Sequence, residues 1–176
     1  MIKKKCFFSY LGNYYASTRA GNTSCCARTW LLWGVFGAVA IIDRLLKLWA
    51  IRSCQEPLSL TSWLHCDLVM NRGVSFGLFH ADNQWVFGVV TLFVMALTGL
   101  VAFHAITQAR QGRSYVGELC IIVGSLSNIF DRFIYNGVID FIVVQTPWGF
   151  WPAYNIADAL IVCGVALLII THYKES

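Results

Sequence analysis

Trp85-Val-Phe-Gly-Val-Val-Thr-Leu-Phe-Val-Met-Ala-Leu-Thr-Gly-Leu-Val-Ala-Phe-His-Ala105 contains no Asp, Glu, Lys or Arg. As a helix rising about 1.5 Å per residue, this stretch is about 30 Å long, enough to cross the hydrocarbon of a bilayer. Three more apolar blocks lie at about 30–51, 116–134 and 153–171. The chain of 176 residues is 57% hydrophobic and 12% charged. A soluble domain carries roughly half apolar and a quarter charged residues, so this composition excludes one. The expected architecture is an all-α membrane protein with four transmembrane helices and a small extracytoplasmic β-sheet.

The net charge of +4 is explained by topology, and no nucleic-acid partner is expected. Lys3, Lys4, Lys5, Arg19 and Arg28 precede the first block, Arg110 and Arg113 separate the second from the third, and Lys174 follows the fourth. The positive-inside rule makes those regions cytoplasmic. The segments 52–84 and 135–152 are poor in Lys and Arg and should face outward. Residues 1–29 then form a cytoplasmic extension, 30–171 the four-span domain and 172–176 a cytoplasmic tail. The extension lacks an apolar h-region and a small-residue cleavage site, so it does not read as a cleaved signal peptide. Of seven cysteines, Cys120 and Cys163 read as small packing residues in spans. Cys54 and Cys66 share an outward loop and could pair in an oxidising compartment. No Cys/His spacing suits a metal, and no metal or other cofactor is expected.

The first outward segment alternates over Leu58-Ser-Leu-Thr-Ser-Trp-Leu64, as a half-buried strand does, and continues into a Gly-punctuated run, Asn71-Arg-Gly-Val-Ser-Phe-Gly77. The second opens on Val138-Ile-Asp-Phe-Ile-Val-Val144, β-branched and suited to extended chain. Pro147, Gly149 and Pro152 then break any helix, and Trp148, Phe150 and Trp151 suit the membrane interface.

Charges inside spans are costly and mark functional candidates. Asp43 and Lys47 lie toward the outer end of the first span, Asn128, Asp131 and Arg132 at that of the third. Asp140 follows, and Asn155 and Asp158 open the fourth. Four segments thus deliver polar residues to one outward layer. Asp43 and Lys47 have the spacing and order of a helix ion pair and read as structural bracing. Asp131 and Arg132 are adjacent, so they face different sides and need different partners. Arg132 could otherwise reach lipid phosphates. Glu118, near the inner end, should snorkel to the interface. Asp140 and Asp158 have no basic residue within four positions. Two such carboxylates can share one proton, one activating water while the other polarises a carbonyl. That is peptide hydrolysis by an aspartic dyad. A proton or ion pathway uses the same residue types, and a scaffold with paired polar groups is a further reading.

Asp43-x-x-x-Lys47, Asn71-x-Gly73-x-x-Phe76, Asn128-x-x-Asp131-Arg132, Val138-x-Asp140-Phe141 and Asn155-Ile-Ala-Asp158 resemble, in order, the motifs of bacterial lipoprotein signal peptidase (signal peptidase II). The resemblance covers about 30–171. It implies a membrane endopeptidase of the bacterial inner membrane that removes signal peptides from prolipoproteins, cutting before a Cys carrying diacylglyceryl. Membrane lipids are its other partners, and it is expected to act as a monomer with both termini in the cytoplasm. Matched by motif, Asp140 and Asp158 are the catalytic pair. Asn71, Gly73, Asn128, Arg132 and Asn155 line the site, Asn71 and Gly73 on an outward loop over the site, and Asp43, Lys47 and Asp131 support it. The chain departs from the pattern in its Cys-containing N-terminal extension and in Ser75, where Ala is usual.

Overall fold

The structure, a computed structural model, describes residues 23–73 and 83–175, with side chains over 30–73 and 83–173. The N-terminal extension before residue 23, and residues 74–77 of the Gly-punctuated run, Ser75 and Phe76 among them, lie outside the described residues. The chain divides into two compact units, Met1–Gly37 and Ala38–Ser176. The first contributes only helical residues from Thr23 onward to this description, and the features below belong to the second.

The elements in chain order are α1 (Thr23–Ser53), β1 (Leu58–Ser59), β2 (Leu64–Asn71), α2 (Gln84–Arg110), α3 (Val116–Tyr135), β3 (Val138–Thr146), β4 (Gly149–Phe150) and α4 (Ile156–Glu175). Each of the four apolar blocks is a helix. By length and apolarity two of them, α2 and α4, are sufficient to cross a membrane. The α4 helix begins at Ile156, three residues later than the apolar block, because the backbone of Tyr154 pairs with Ile142 of β3. Asn136 ends α3 in the left-handed conformation at φ 58°, which short polar side chains tolerate, and turns the chain into β3.

The strands form one antiparallel sheet in the order β1-β2-β3-β4. The alternation at Leu58 gives only a two-residue strand. Residues 60–63 form a bend instead, in which Thr61 Oγ1 accepts the N–H groups of Trp63 and Leu64. The longer β2 pairs with β3 so that Asn71 lies opposite Val138. Side chains two residues apart share a face of a strand, so this register brings Asn71 beside Asp140. A disulfide joins Cys54, just past α1, to Cys66 on β2. With Ala50 and Phe141 it forms a small buried cluster that fastens the sheet to α1.

Two glycines set the spacing of α3 and α4. A Cβ on Gly124 would stand 2.5 Å from the carbonyl oxygen of Ala157, and one on Gly164 would stand 2.6 Å from that of Gly117. The backbones therefore touch, as small residues permit between helices. This contact holds the first turn of α4 against the polar face of α3. At the opposite end Glu118 does not snorkel. It is buried and accepts a 2.9 Å contact from His104 of α2, because α2 covers the first turn of α3 there. Cys120 is buried as a packing residue should be, whereas Cys163 is exposed on α4.

Candidate active site

The Asp43–Lys47 pair of α1 is the base of a polar network, buried at its centre and partly exposed at Arg44 and Ser127. Lys47 and Asp131 are both 0% exposed, so their charges must be met by protein groups rather than water. Lys47 Nζ lies 2.9 Å from Asp43 Oδ2 and 2.8 Å from Asp131 Oδ2. It also donates to Asn128 Oδ1 at 3.0 Å. Arg44 donates to Asp131 Oδ1 at 2.6 Å and lies over the Phe130 ring. Two acids face two bases, and the cluster is neutral. Ser127 donates to Asp43 Oδ2 at 2.6 Å, and the other oxygen of Asp43 accepts the N–H of Ala157 at 3.0 Å. Asp43 thereby satisfies one of the open N–H groups at the start of α4 and favours that helix end electrostatically.

Asn155 immediately precedes α4, and its Oδ1 accepts the N–H of Asp158 three residues on, at 2.9 Å. This is an N-cap interaction, and it fixes the turn on which Asp158 sits. The amide NH2 of Asn155 donates to Asp140 Oδ1 at 2.6 Å. Asn71 donates to the other oxygen of Asp140 at 3.0 Å, while Asn71 Oδ1 accepts the N–H of Gly73 at 2.9 Å. From α3, Asn128 donates to Asp158 Oδ1 at 2.7 Å. Asn155 therefore ties the Asp140 carboxylate to the backbone of Asp158, and each carboxylate accepts from an amide of another element. Asp140 is 1% exposed, and burial first and the Asp158 charge second push its carboxyl up to about 7.

Along α3, Ser125, Asn128 and Arg132 follow the helical spacing and line one cavity of about 310 Å³ with Asn71, Asp158 and apolar residues of α2 and α4. Ser127 and Asp131 face α1 instead, as adjacent residues on a helix must. Arg132 is buried rather than reaching outward. It donates to the carbonyl oxygen of Gly73 and lies 5.6 Å from the Phe87 ring centre. Its Nε and Nη1 have no hydrogen-bond partner among the described residues. A second cavity of about 490 Å³ reaches Asp158 between α4 and the sheet, past Val144, Trp151 and Tyr154. Asp158 is thus accessible from two sides. His65, by contrast, bonds to Ser59 and Gln145 on the sheet and has no part in this cluster.

The structure brings together Asp43, Lys47, Asn71, Gly73, Asn128, Asp131, Arg132, Asp140, Asn155 and Asp158, from α1, the β2 end, α3, β3 and the α4 start. Sequence reasoning missed Arg44 and Ser127. Arg44 directly follows Asp43, and its charge inside an apolar block was the available signal. Among the described residues no group of three or more His, Cys, Asp or Glu could hold a metal ion.

Residues 35–174 match the model of the signal peptidase (SPase) II family. The chain belongs to that family. It is 38% identical over 141 residues to a lipoprotein signal peptidase of Syntrophomonas wolfei, an alignment covering 78% of this chain and 89% of the relative. It is 32% identical over 140 residues to one from Pseudoalteromonas atlantica, covering 78% and 85% of the two chains. A bacterial membrane enzyme solved by the in meso method at 2.3 Å has the same fold, with a TM-score of 0.66 at 22% identity over 82% of this chain and 88% of that one. A second such enzyme, at 1.9 Å, gives 0.65 at 21% identity over 83% and 94%. The signal peptidase II match spans all the clustered residues named above.

Proposed function

We propose that this signal peptidase II chain is a membrane aspartic endopeptidase that removes signal peptides from prolipoproteins, cutting before a diacylglyceryl-modified Cys. One observation carries the reading: Asn155 donates to the buried Asp140 carboxylate and accepts the backbone N–H of Asp158, whose half-buried carboxylate borders a cavity that Arg132 also lines, its Nε and Nη1 without a partner among the described residues. Asp140 is raised to about 7, so the pair retains one proton near neutral pH. One carboxylate takes a proton from water as the water oxygen attacks the scissile carbonyl carbon, and the other carboxyl donates its proton to the carbonyl oxygen. Collapse of the tetrahedral intermediate breaks the C–N bond while the first carboxyl passes its proton to the leaving nitrogen. The proton on the intermediate's oxygen returns to the second carboxylate, which restores the pair. Arg132 is suited to hold a substrate carbonyl, because its buried Nε and Nη1 have no partner among the described residues and would gain one from substrate.

The two cavities beside Asp158 are mostly apolar, which suits a substrate whose hydrophobic segment and acyl chains stay in lipid. The reading places all four helices across the inner membrane as one domain of about 30–171, with 1–29 and 172–176 in the cytoplasm. The Cys54–Cys66 disulfide at the dyad end fits an oxidising outer face, and Arg110 and Arg113 at the other end fit the cytoplasmic side. Trp148, Phe150 and Trp151 are exposed near the dyad end, as interfacial aromatics would be. A conducting pathway calls for broken helices. The four described helices run unbroken, which favours the peptidase.

The test is cleavage of a diacylglyceryl-modified prolipoprotein by purified protein. Asp140→Asn and Asp158→Asn should each lose at least about a thousandfold in rate while remaining folded, the scale of a lost catalytic group. Near wild-type cleavage by either variant would falsify the dyad.

A further inference from the structure

Three asparagines meet the dyad, and the amide of each has one end that accepts and one that donates. In two of them backbone groups decide which end is which. Asn71 Oδ1 accepts from the N–H of Gly73, and Asn155 Oδ1 from the N–H of Asp158. A backbone N–H can only donate, so in both side chains the NH2 end turns toward Asp140. Asn128 is held differently: its Oδ1 faces the Lys47 ammonium at 3.0 Å. An ammonium has three N–H groups and no acceptor, so it too admits only the oxygen end. The NH2 of Asn128 is left to point at Asp158 Oδ1, 2.7 Å away.

The count of protons makes Lys47 the main determinant. Its three N–H groups meet Asp43, Asp131 and Asn128 at 2.9, 2.8 and 3.0 Å, with Ser127 Oγ farther off at 3.4 Å. The side chain is 0% exposed, so the ammonium does not turn to solvent. Asn155 also reaches Asn128 Oδ1, at 3.3 Å, but its two amide protons are divided among that oxygen, Asp140 at 2.6 Å and the Ile139 carbonyl at 3.3 Å. The short bond to Asp140 claims one of them, leaving less than one for Asn128.

We propose that Lys47 is a positioning residue of the peptidase site, whose ammonium fixes the amide of Asn128 so that its NH2, and not its oxygen, faces Asp158. The proposal rests on the dyad reading above. An Asn side chain turns between two orientations about its last bond at little intrinsic cost. Without Lys47, Asn128 can present its oxygen to Asp158, where two acceptors oppose each other and the ionised pair loses a donor.

The test uses a charge-balanced background, Lys47→Met with Asp131→Asn, which removes the ammonium without leaving an extra buried carboxylate. Against diacylglyceryl-modified prolipoprotein, this double variant should lose about tenfold to a hundredfold in kcat, the range of one hydrogen bond to a charged group. KM should stay within about threefold, and the acid limb of the pH–rate profile should move to higher pH, as loss of a donor to a carboxylate requires. Asn128→Leu alone should give a similar loss, and adding it to the double variant should cost no more than about threefold further, since both act through one contact. A double variant that keeps its kcat, or an Asn128→Leu loss that multiplies in full, overturns the proposal. Should the double variant not fold, the unaltered protein answers by NMR of 15N-labelled asparagine. The Asn128 NH2 signal should shift as the dyad titrates and stop doing so in Asp158→Asn. A signal indifferent to that titration overturns the proposal equally. Failure of the dyad reading is distinguishable, because Asp140→Asn or Asp158→Asn would then still cleave.

Discussion

Replacing Asp140 by Asn should reverse its sign of effect on stability between acid and mildly alkaline pH. In the folded protein the Asp140 carboxyl is pushed from 3.8 up to about 7, by burial first and by the Asp158 charge second, against the amides of Asn71 and Asn155 that pull it down. In the unfolded chain it titrates at its ordinary value. Between the two values the native state holds a proton that the unfolded state has released, so stability falls as pH rises. The contribution is fully present below about pH 4 and gone above about pH 7, a total of about 4 kcal/mol at about 1.4 kcal/mol per pH unit. Asn cannot titrate, so the variant lacks this slope. It has a cost of its own, because its NH2 must oppose the NH2 of Asn71 or Asn155, worth about 1–3 kcal/mol. At pH 8 the ~4 kcal/mol term is larger, and the variant should be the more stable protein by roughly 1–3 kcal/mol. At pH 5 the parent recovers about 3 kcal/mol and should match or exceed it. Thermal unfolding in detergent, followed by tryptophan fluorescence at each pH, reads this directly. One kcal/mol moves the midpoint of a chain this size by about 2–4 °C. Parallel midpoint–pH curves for parent and variant would refute the reasoning, since Asp140 would then ionise as an ordinary carboxylate.

Gly124→Ala should destabilise by about 1–3 kcal/mol, because its Cβ would meet the Ala157 carbonyl oxygen, and the displaced α4 turn should also lower cleavage. Gly99→Ala on α2 meets nothing within 4 Å and should leave both unchanged or slightly improve stability, so detergent melts of the two variants form an internal control. Cys54→Ser, which opens the link between α1 and β2, should lower stability by about 2–4 kcal/mol. A melt indistinguishable from the parent under non-reducing conditions would show that the bond does not constrain the sheet.

Much of the site was legible as chemistry before it was legible as geometry. Asp140 and Asp158 stood out because apolar neighbours leave a carboxylate without local compensation, and Asp43 and Lys47 because their spacing suits a helix pair. Arg44 was overlooked because its partner, Asp131, is 87 positions away. The placement of Glu118 at the interface failed for a similar reason: depth along one helix says nothing of the neighbour that covers it, here α2 with His104. Leu58–Leu64 alternates like a strand, yet Thr61 captures the N–H groups that a longer strand would have paired.

The sequence by itself determined where the helices form, which stretches leave them, and which residues are too polar for their surroundings. Those are local properties, set by runs of apolar residues, by helix breakers and by the cost of burying a charge. Tertiary structure alone decided which polar group meets which. It set the β2–β3 register that carries Asn71 to Asp140, the glycine contact that seats α4 on α3, and the buried ammonium that orients Asn128. Hydrogen-bond partners far apart in the chain depend on the approach of whole elements, to within a few tenths of an ångström, and no local pattern encodes that approach.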